Sequence, residues 1–176
     1  KDCVYIVGRN LVYSATHYDE KFERDWNIIC TMLALQYPSY TQENIKEKYP
    51  YIIAFSDDEI VGYAYASAFK DRSAYDWSVE TSVYVKESCK RCGIGALLYK
   101  KLEEILSLQG FLNVNACIAY TEKQDENLTN DSVYFHKKLG YSLVGEFHKC
   151  GYKFGRWYNM VWMEKHIGEH KENPEK

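Results

Sequence analysis

The segment Lys90-Arg91-Cys92-Gly93-Ile94-Gly95-Ala96 combines the residue types an anion site needs. Gly93 and Gly95 remove Cβ atoms where a phosphate must approach the main chain, and the uncapped N–H groups of a helix start supply donors. Lys90 and Arg91 add positive charge. A Rossmann loop would want a third glycine and an acidic residue about twenty positions on, and a Walker loop would end in GK[ST]. Neither pattern is met, and the plain alternative is a glycine-bearing turn. Position argues for more than a turn, because the segment joins a strand bearing Glu80 to the strongest helical pattern in the chain.

Other side chains offer chemistry singly. A carboxylate on a partly buried strand gains basicity by desolvation, which makes Glu80 a candidate base; a solvent-facing Glu beside Ser82 is the alternative. Lys70 and Arg72 precede that strand and can pair with a ligand carboxylate, Arg in the bidentate manner, though as surface charges they need no explanation. Tyr75 can hydrogen-bond the same ligand. His136 titrates near neutrality, yet a lone His on a short apolar helix is more often structural. Of the six cysteines (Cys3, Cys30, Cys89, Cys92, Cys117, Cys150), only Cys89 and Cys92 share a CxxC spacing. A zinc site would have to recruit His148 and Cys150, so free thiols in a cytoplasmic protein, with no metal, are the expectation.

The elements that must position these groups follow from periodicity. Leu11–Ala15 alternates weakly as a strand, and Tyr18–Leu35 carries Phe22, Trp26, Ile29 and Leu33 at helical spacing. Thr41 caps a second short helix through Lys48, closed by Pro50. Tyr51–Phe55 and Ile60–Ala68 form a hairpin around four polar residues, and Trp77–Val85 is a strand with Val79, Thr81, Val83 and Val85 on one face. Gly93–Gln109 is the clearest helix, with Ile94, Leu97, Leu98, Leu102, Ile105 and Leu106 on one stripe and Gly110 at its stop. Leu112–Ala119 reads as a buried strand, residues 120–130 as a long loop, and Asp131–Leu139 as a short helix ended by Gly140. A final hairpin, Tyr141–His148 with Trp157–Glu164, turns around Gly151 and Gly155. This order predicts one α/β domain over residues 1–167, a mixed, mostly antiparallel sheet flanked by helices, with residues 168–176 a frayed polar tail.

Composition narrows the partners. The net charge of −3, from 22 basic and 25 acidic residues well interleaved, offers no field to hold a phosphate backbone, so nucleic acid is not expected. No apolar run reaches the roughly 18 residues of a membrane span, and the start lacks a signal-peptide layout.

Taken together, the Lys90–Gly95 stretch, Ser132–Tyr141 (SVYFHKKLGY) and the opening Ser14-Ala15-Thr16 with Asp19 resemble the GCN5-related N-acetyltransferases, in which [QR]xxGxG/A receives the coenzyme A pyrophosphate. Lys90 stands where Gln or Arg is usual. Lys70–Glu80, Val83-Tyr84-Val85 and Gly151–Trp157 resemble the phosphinothricin and methionine sulfone or sulfoximine acetyltransferases within that family. Two departures stand out. Gln36–Tyr40 is shorter than the subfamily's substrate-facing loop, and Thr129, with Asn130 beside it, occupies the place of the Asn that usually precedes Ser132 by three.

The resemblance implies acetyl transfer from acetyl-CoA to a small amine. Glu80 would take the proton of the acceptor ammonium, and main-chain donors at Val83 and Val85 would hold the oxyanion. His136 would serve the leaving thiolate or share the base role. Val83, Tyr84, Val85, the loop Lys90, Arg91, Cys92, Gly93, Ile94, Gly95, Ala96 and, later, Ser132 would bind the coenzyme. Lys70, Arg72, Tyr75, Tyr152 and Lys153 would face the acceptor. The crowded turn of Tyr152, Lys153, Phe154, Arg156 and Trp157 also suggests a homodimer. Competing readings are transfer to a polyamine, an aminoglycoside or a protein N-terminus, and a non-catalytic coenzyme A-binding module.

Overall fold

The computed structural model describes residues 3–7, 49–56 and 59–174. The expected strand at 11–15, the helices at 18–35 and 41–48, the corner at 14–19 and the loop at 36–40 lie outside the described residues. The chain divides into two compact units, one holding the residues up to Ala66 with Ser82–Ile105, the other Ser67–Thr81 with Leu106–Lys176.

In the first unit, β1 (Cys3–Val7) pairs antiparallel with β2 (Tyr51–Ser56), and β2 with β3 (Glu59–Ala68). The β2–β3 hairpin is as expected; β1 was not legible in the sequence pattern. Ile52, Ile53 and Ala64 are fully buried, Ile52 and Ile53 on opposite faces of β2, and Gly62 of β3 lies against Ile94 and Leu98 of α1 (Ile94–Leu108). The buried stripe of this helix runs through Leu98, Tyr99 and Leu102, whereas Leu97, expected on it, is 40% exposed. β4 (Ser78–Val85) gives its C-terminal half to this unit, where Lys86 N–H bonds the Val61 carbonyl at 2.8 Å.

The second unit holds the N-terminal half of β4, then β5 (Asn113–Tyr120), β6 (Ser142–Lys153) and β7 (Arg156–His166). β4 and β5 are parallel, β5–β7 and β6–β7 antiparallel, which gives the mixed, mostly antiparallel arrangement expected. β5 is buried on both sides only in its first half: Val114, Ala116 and Ile118 lie on one face and are buried, Asn115 is buried on the other, and Cys117 and Ala119 beyond it are exposed. The final hairpin is longer than its apolar residues imply. Its turn is Phe154-Gly155, both at positive φ (51° and 74°), and Gly151 lies inside β6 opposite Tyr158. α2 (Asp131–Lys138) ends at Gly140, whose φ of 90° lets Gly140 N–H and Tyr141 N–H close on the carbonyls of Lys137 and His136. Beyond β7, Ile167 N–H bonds Leu112 O at 2.8 Å, and His170 meets Asn113 Oδ1 at 2.6 Å.

Candidate functional site

In the first unit, the chain leaving β4 makes a 3-10 turn at Glu87–Cys89, passes Arg91 at φ 62° and Gly93 at φ 87°, and enters α1. The Gly93 carbonyl accepts the first helical bond, from Leu97 N–H at 3.0 Å, so the amides of Ile94, Gly95 and Ala96 form the helix's donor end. Among the described residues, nothing lies within 4 Å of a Cβ built on Gly93, so none of them fills the space in front of that main chain. Lys90 ion-pairs with Glu87 at the surface. A residue missed from sequence, Gly62 of β3, seats this end of α1: a Cβ there would stand 2.9 Å from the Tyr84 carbonyl oxygen and 3.3 Å from Ile94 Cγ2. The available signal was an isolated glycine inside a strand pattern, which marks close backbone approach. Tyr84 is exposed and stacks on Tyr63 at 5.0 Å, while Val83 and Val85 are half-buried.

In the second unit, the β4–β5 ladder covers three pairs, Ser78↔Asn113, Val79↔Val114 and Glu80↔Asn115. At its end Asn115 Nδ2 donates to the Val79 carbonyl (3.1 Å), and Thr81 Oγ1 donates to the Asn115 carbonyl (3.2 Å). Both side chains are buried, and they lock the backbone on either side of Glu80. Glu80 itself is half-buried. Burial pushes its carboxyl above the ordinary value, and the nearby Lys70 ammonium pulls partly the other way. Lys70 is exposed but held: its Nζ lies 4.9 Å from the Phe69 ring centroid and 5.3 Å from that of Trp162. Tyr75 packs edge-on against Phe69 at 6.0 Å, and Phe69 likewise against Trp162 at 5.5 Å. Arg72 is exposed at the cap of the 3-10 turn Ser73–Tyr75.

The structure therefore gathers Lys70 and Tyr75 about an aromatic platform with Glu80 within reach of the Lys70 charge, and adds three residues the sequence did not single out. Phe69 and Trp162 form the platform. Cys117, opposite Trp162 in the β5–β7 ladder, has an outward thiol pushed up to about 11, chiefly by burial and then by the Glu80 charge. Their signal lay in pairing between strands more than 40 residues apart, which periodicity cannot supply.

His136 is only 3% exposed. Its Nδ1 lies 2.7 Å from the Ser132 carbonyl, an acceptor, so Nδ1 carries the proton and donates. Burial lowers its pKa, the backbone bond opposing, and keeps the ring neutral. The ring meets Tyr141 edge-on at 5.1 Å, and the Tyr141 hydroxyl lies 3.3 Å from Thr81 Oγ1. His136 thus stands one buried tyrosine away from the Glu80 strand.

The loop before α2 is highly ordered by its own polar groups. Asn130, at the helix start, brackets Thr121 by accepting from its N–H (3.3 Å) and donating to its carbonyl (2.9 Å). Asp125 Oδ1 accepts from the amides of Asn127 and Leu128, both at 2.9 Å. Tyr152 and Lys153 are exposed at the β6–β7 tip, where Tyr152 packs on Trp157 at 5.1 Å and Lys153 covers Phe154 at 4.9 Å. Among the described residues, no cluster of three or more His, Cys, Asp or Glu can hold a metal ion, and no helix is long and apolar enough to cross a membrane.

Phosphinothricin N-acetyltransferase of Streptomyces viridochromogenes is 37% identical over 124 residues, which cover 70% of this chain and 63% of that enzyme. L-methionine sulfoximine/L-methionine sulfone acetyltransferase of Pseudomonas paraeruginosa is 29% identical over 131 residues, 73% of this chain and 72% of the other. The match thus falls short of two thirds of the Streptomyces viridochromogenes relative's length. A crystal structure of a GNAT superfamily phosphinothricin acetyltransferase from Sinorhizobium meliloti in complex with AcCoA superimposes with a TM-score of 0.67 at 31% identity, covering 83% of this chain and 74% of that one. A family model described as an acetyltransferase (GNAT) domain matches residues 17–162. Because that match takes in the 90–96 loop, β4 and α2 without a break, the resemblance drawn from short motifs extends to most of the chain, which belongs to the GNAT acetyltransferase family.

Proposed function

We propose that this protein transfers the acetyl group of acetyl-CoA to the amine of a small amino-acid-like acceptor of the phosphinothricin or methionine sulfone/sulfoximine type. One observation carries the reading: a half-buried carboxylate with raised affinity for protons, Glu80, beside a cation, Lys70, braced on Phe69 and Trp162. An ammonium must lose a proton before it can attack, and a carboxylate of raised pKa is suited to take it. Lys70, with Arg72 and Tyr75, would receive the acceptor's anionic group.

The residues present fit the coenzyme. Amides at the start of α1, the space before Gly93 that no described residue fills and the charges of Lys90 and Arg91 suit a pyrophosphate, with Val83, Tyr84, Val85 and Cys92 in the same unit; the family resemblance alone adds Ser132. Acetyl-CoA bound there supplies an activated thioester carbonyl. Burial and the Nδ1–H bond to the Ser132 carbonyl keep the His136 ring neutral, so donation to the leaving thiolate suits it less than the share in the base role that the resemblance also implies. We further propose one catalytic domain through residue 167 and a cytoplasmic location, in keeping with free thiols at Cys89, Cys92, Cys117 and Cys150.

A homodimer belongs to the same proposal. Leu143, Phe147, Tyr152, Phe154 and Trp157 are each more than half exposed on the β6–β7 hairpin, an apolar surface that a second copy would cover, bringing Tyr152 and Lys153 toward an acceptor site. Coenzyme A release measured against phosphinothricin, methionine sulfone, ordinary amino acids, spermidine and an aminoglycoside tests the reading. Turnover confined to the anionic small acceptors supports it; turnover only with the polycations, or with none, overturns it.

A further inference from the structure

We propose that Arg156 is a positioning residue for this acyl transfer, latching the 121–130 loop to the start of β7 and thereby fixing the N-terminus of α2, which carries Ser132 and His136. The inference rests on the acetyl-transfer reading above. Arg156 is the first residue after the hairpin turn, and its planar guanidinium divides its donors among three points of one loop. Nη2 donates to Thr121 Oγ1 and to the Lys123 carbonyl, both at 3.1 Å, and Nη1 ion-pairs with Asp125. The guanidinium carbon lies 4.5 Å above the ring centroid of the buried Tyr158, which limits its rotation.

Two of these points lead onward. Thr121 is the residue whose main chain Asn130 brackets, and Asn130 is the cap from which α2 starts, so Arg156 is two hydrogen-bonded steps from that helix. Asp125 gathers the amides of Asn127 and Leu128 as well as the guanidinium, so that losing the pair loosens the whole bend. A lysine could satisfy Asp125 or Thr121, but one ammonium cannot reproduce the fork.

The test compares Arg156→Gln, Arg156→Lys, Asp125→Asn and the Arg156→Gln/Asp125→Asn double variant in three assays: cleavage of the folded protein by a Glu-specific protease after Glu122 and Glu126, steady-state turnover, and acetyl-CoA affinity by calorimetry. Each single variant should speed loop cleavage severalfold, lower kcat on the order of tenfold and weaken acetyl-CoA binding by a smaller factor, through Ser132. The double variant should be little worse than the worse single, as for two halves of one contact, and Arg156→Lys should remain impaired. Wild-type kcat with wild-type loop cleavage in Arg156→Gln, or additive losses in the double variant, would overturn the latch. A wild type that releases no coenzyme A with any acceptor would instead remove the acetyl-transfer reading and the kinetic role built on it, while the cleavage coupling would still decide whether Arg156 holds the loop.

Discussion

Replacing Glu80 with Gln keeps the side chain's size and its place on β4 but removes its ability to take a proton. A positioned general base contributes about a hundredfold or more, so kcat should fall by at least that factor, about 2.7 kcal/mol of lost transition-state stabilisation. Stability should move the other way. Burial raises the Glu80 carboxyl above its unfolded value, and Lys70 cancels only part of the rise. The unfolded chain therefore releases this proton first as pH increases, and stability falls from the ordinary carboxylate range up through the folded pKa. Gln carries no such cost. Urea unfolding at pH 7 should place Glu80→Gln at or above wild type, with any advantage vanishing below the carboxylate range. Paired rate and unfolding measurements across pH check both arms. A variant with near-wild-type kcat would remove Glu80 as the base; one less stable than wild type at pH 7 would show that the attraction of Lys70 outweighs the cost of burying the carboxylate.

Lys70→Met should move the acidic limb of the kcat/KM profile to higher pH, since the ammonium holds the Glu80 pKa down; an unmoved limb would mean the two do not communicate. Gly93→Val places a β-branched residue at φ 87°, a strain of about 1–2 kcal/mol beside the open anion face, and calorimetry should find acetyl-CoA affinity reduced about tenfold or more. His136→Ala should destabilise the protein by about 3 kcal/mol, the scale for emptying a buried aromatic site, readable by urea unfolding at pH 8. Because burial lowers the folded pKa of His136, its contribution should fade as pH drops through the ordinary histidine range, where the unfolded chain takes up the proton.

What could be read from sequence was what local pattern encodes. The stripe of α1, the alternation of β4 that sets Glu80 apart from Val79 and Thr81, and the glycine stops gave the elements and the candidate base. The platform was not legible, because Phe69, Cys117 and Trp162 meet only through the β5–β7 ladder and the segment before β4. β1 escaped notice because Cys3–Val7 shows no alternation and becomes a strand only by pairing with β2. The length of β6 was missed for a related reason. Its register shifts between Leu143 and Gly145 and between Phe147 and Gly151, with Lys149 at φ 50°, so bulges break the period-two signal that would have marked it. Asn130 shows the converse. Its displacement by one position looked like a departure, yet the side chain still reaches both main-chain groups of Thr121.

The strand order of the second unit also sets a schedule for its folding. β5 pairs along its whole length with β7, so Asn113 waits for His166 and Tyr120 for Asn159, while β6 joins only through β7. During synthesis, β5 and its exposed amides leave the ribosome well before their partner exists, and one edge stays open for templated association. The Phe154-Gly155 turn shortens the wait. A hairpin closes in microseconds once both arms are present, so β7 can arrive already paired and dock as a unit. A chain stopped just short of residue 156 would therefore keep Glu80, Lys70, Tyr75 and His136, lose Trp162, and leave the β7-facing edge of β5 unpaired, making this the stretch where truncation turns a folding intermediate into an aggregating one.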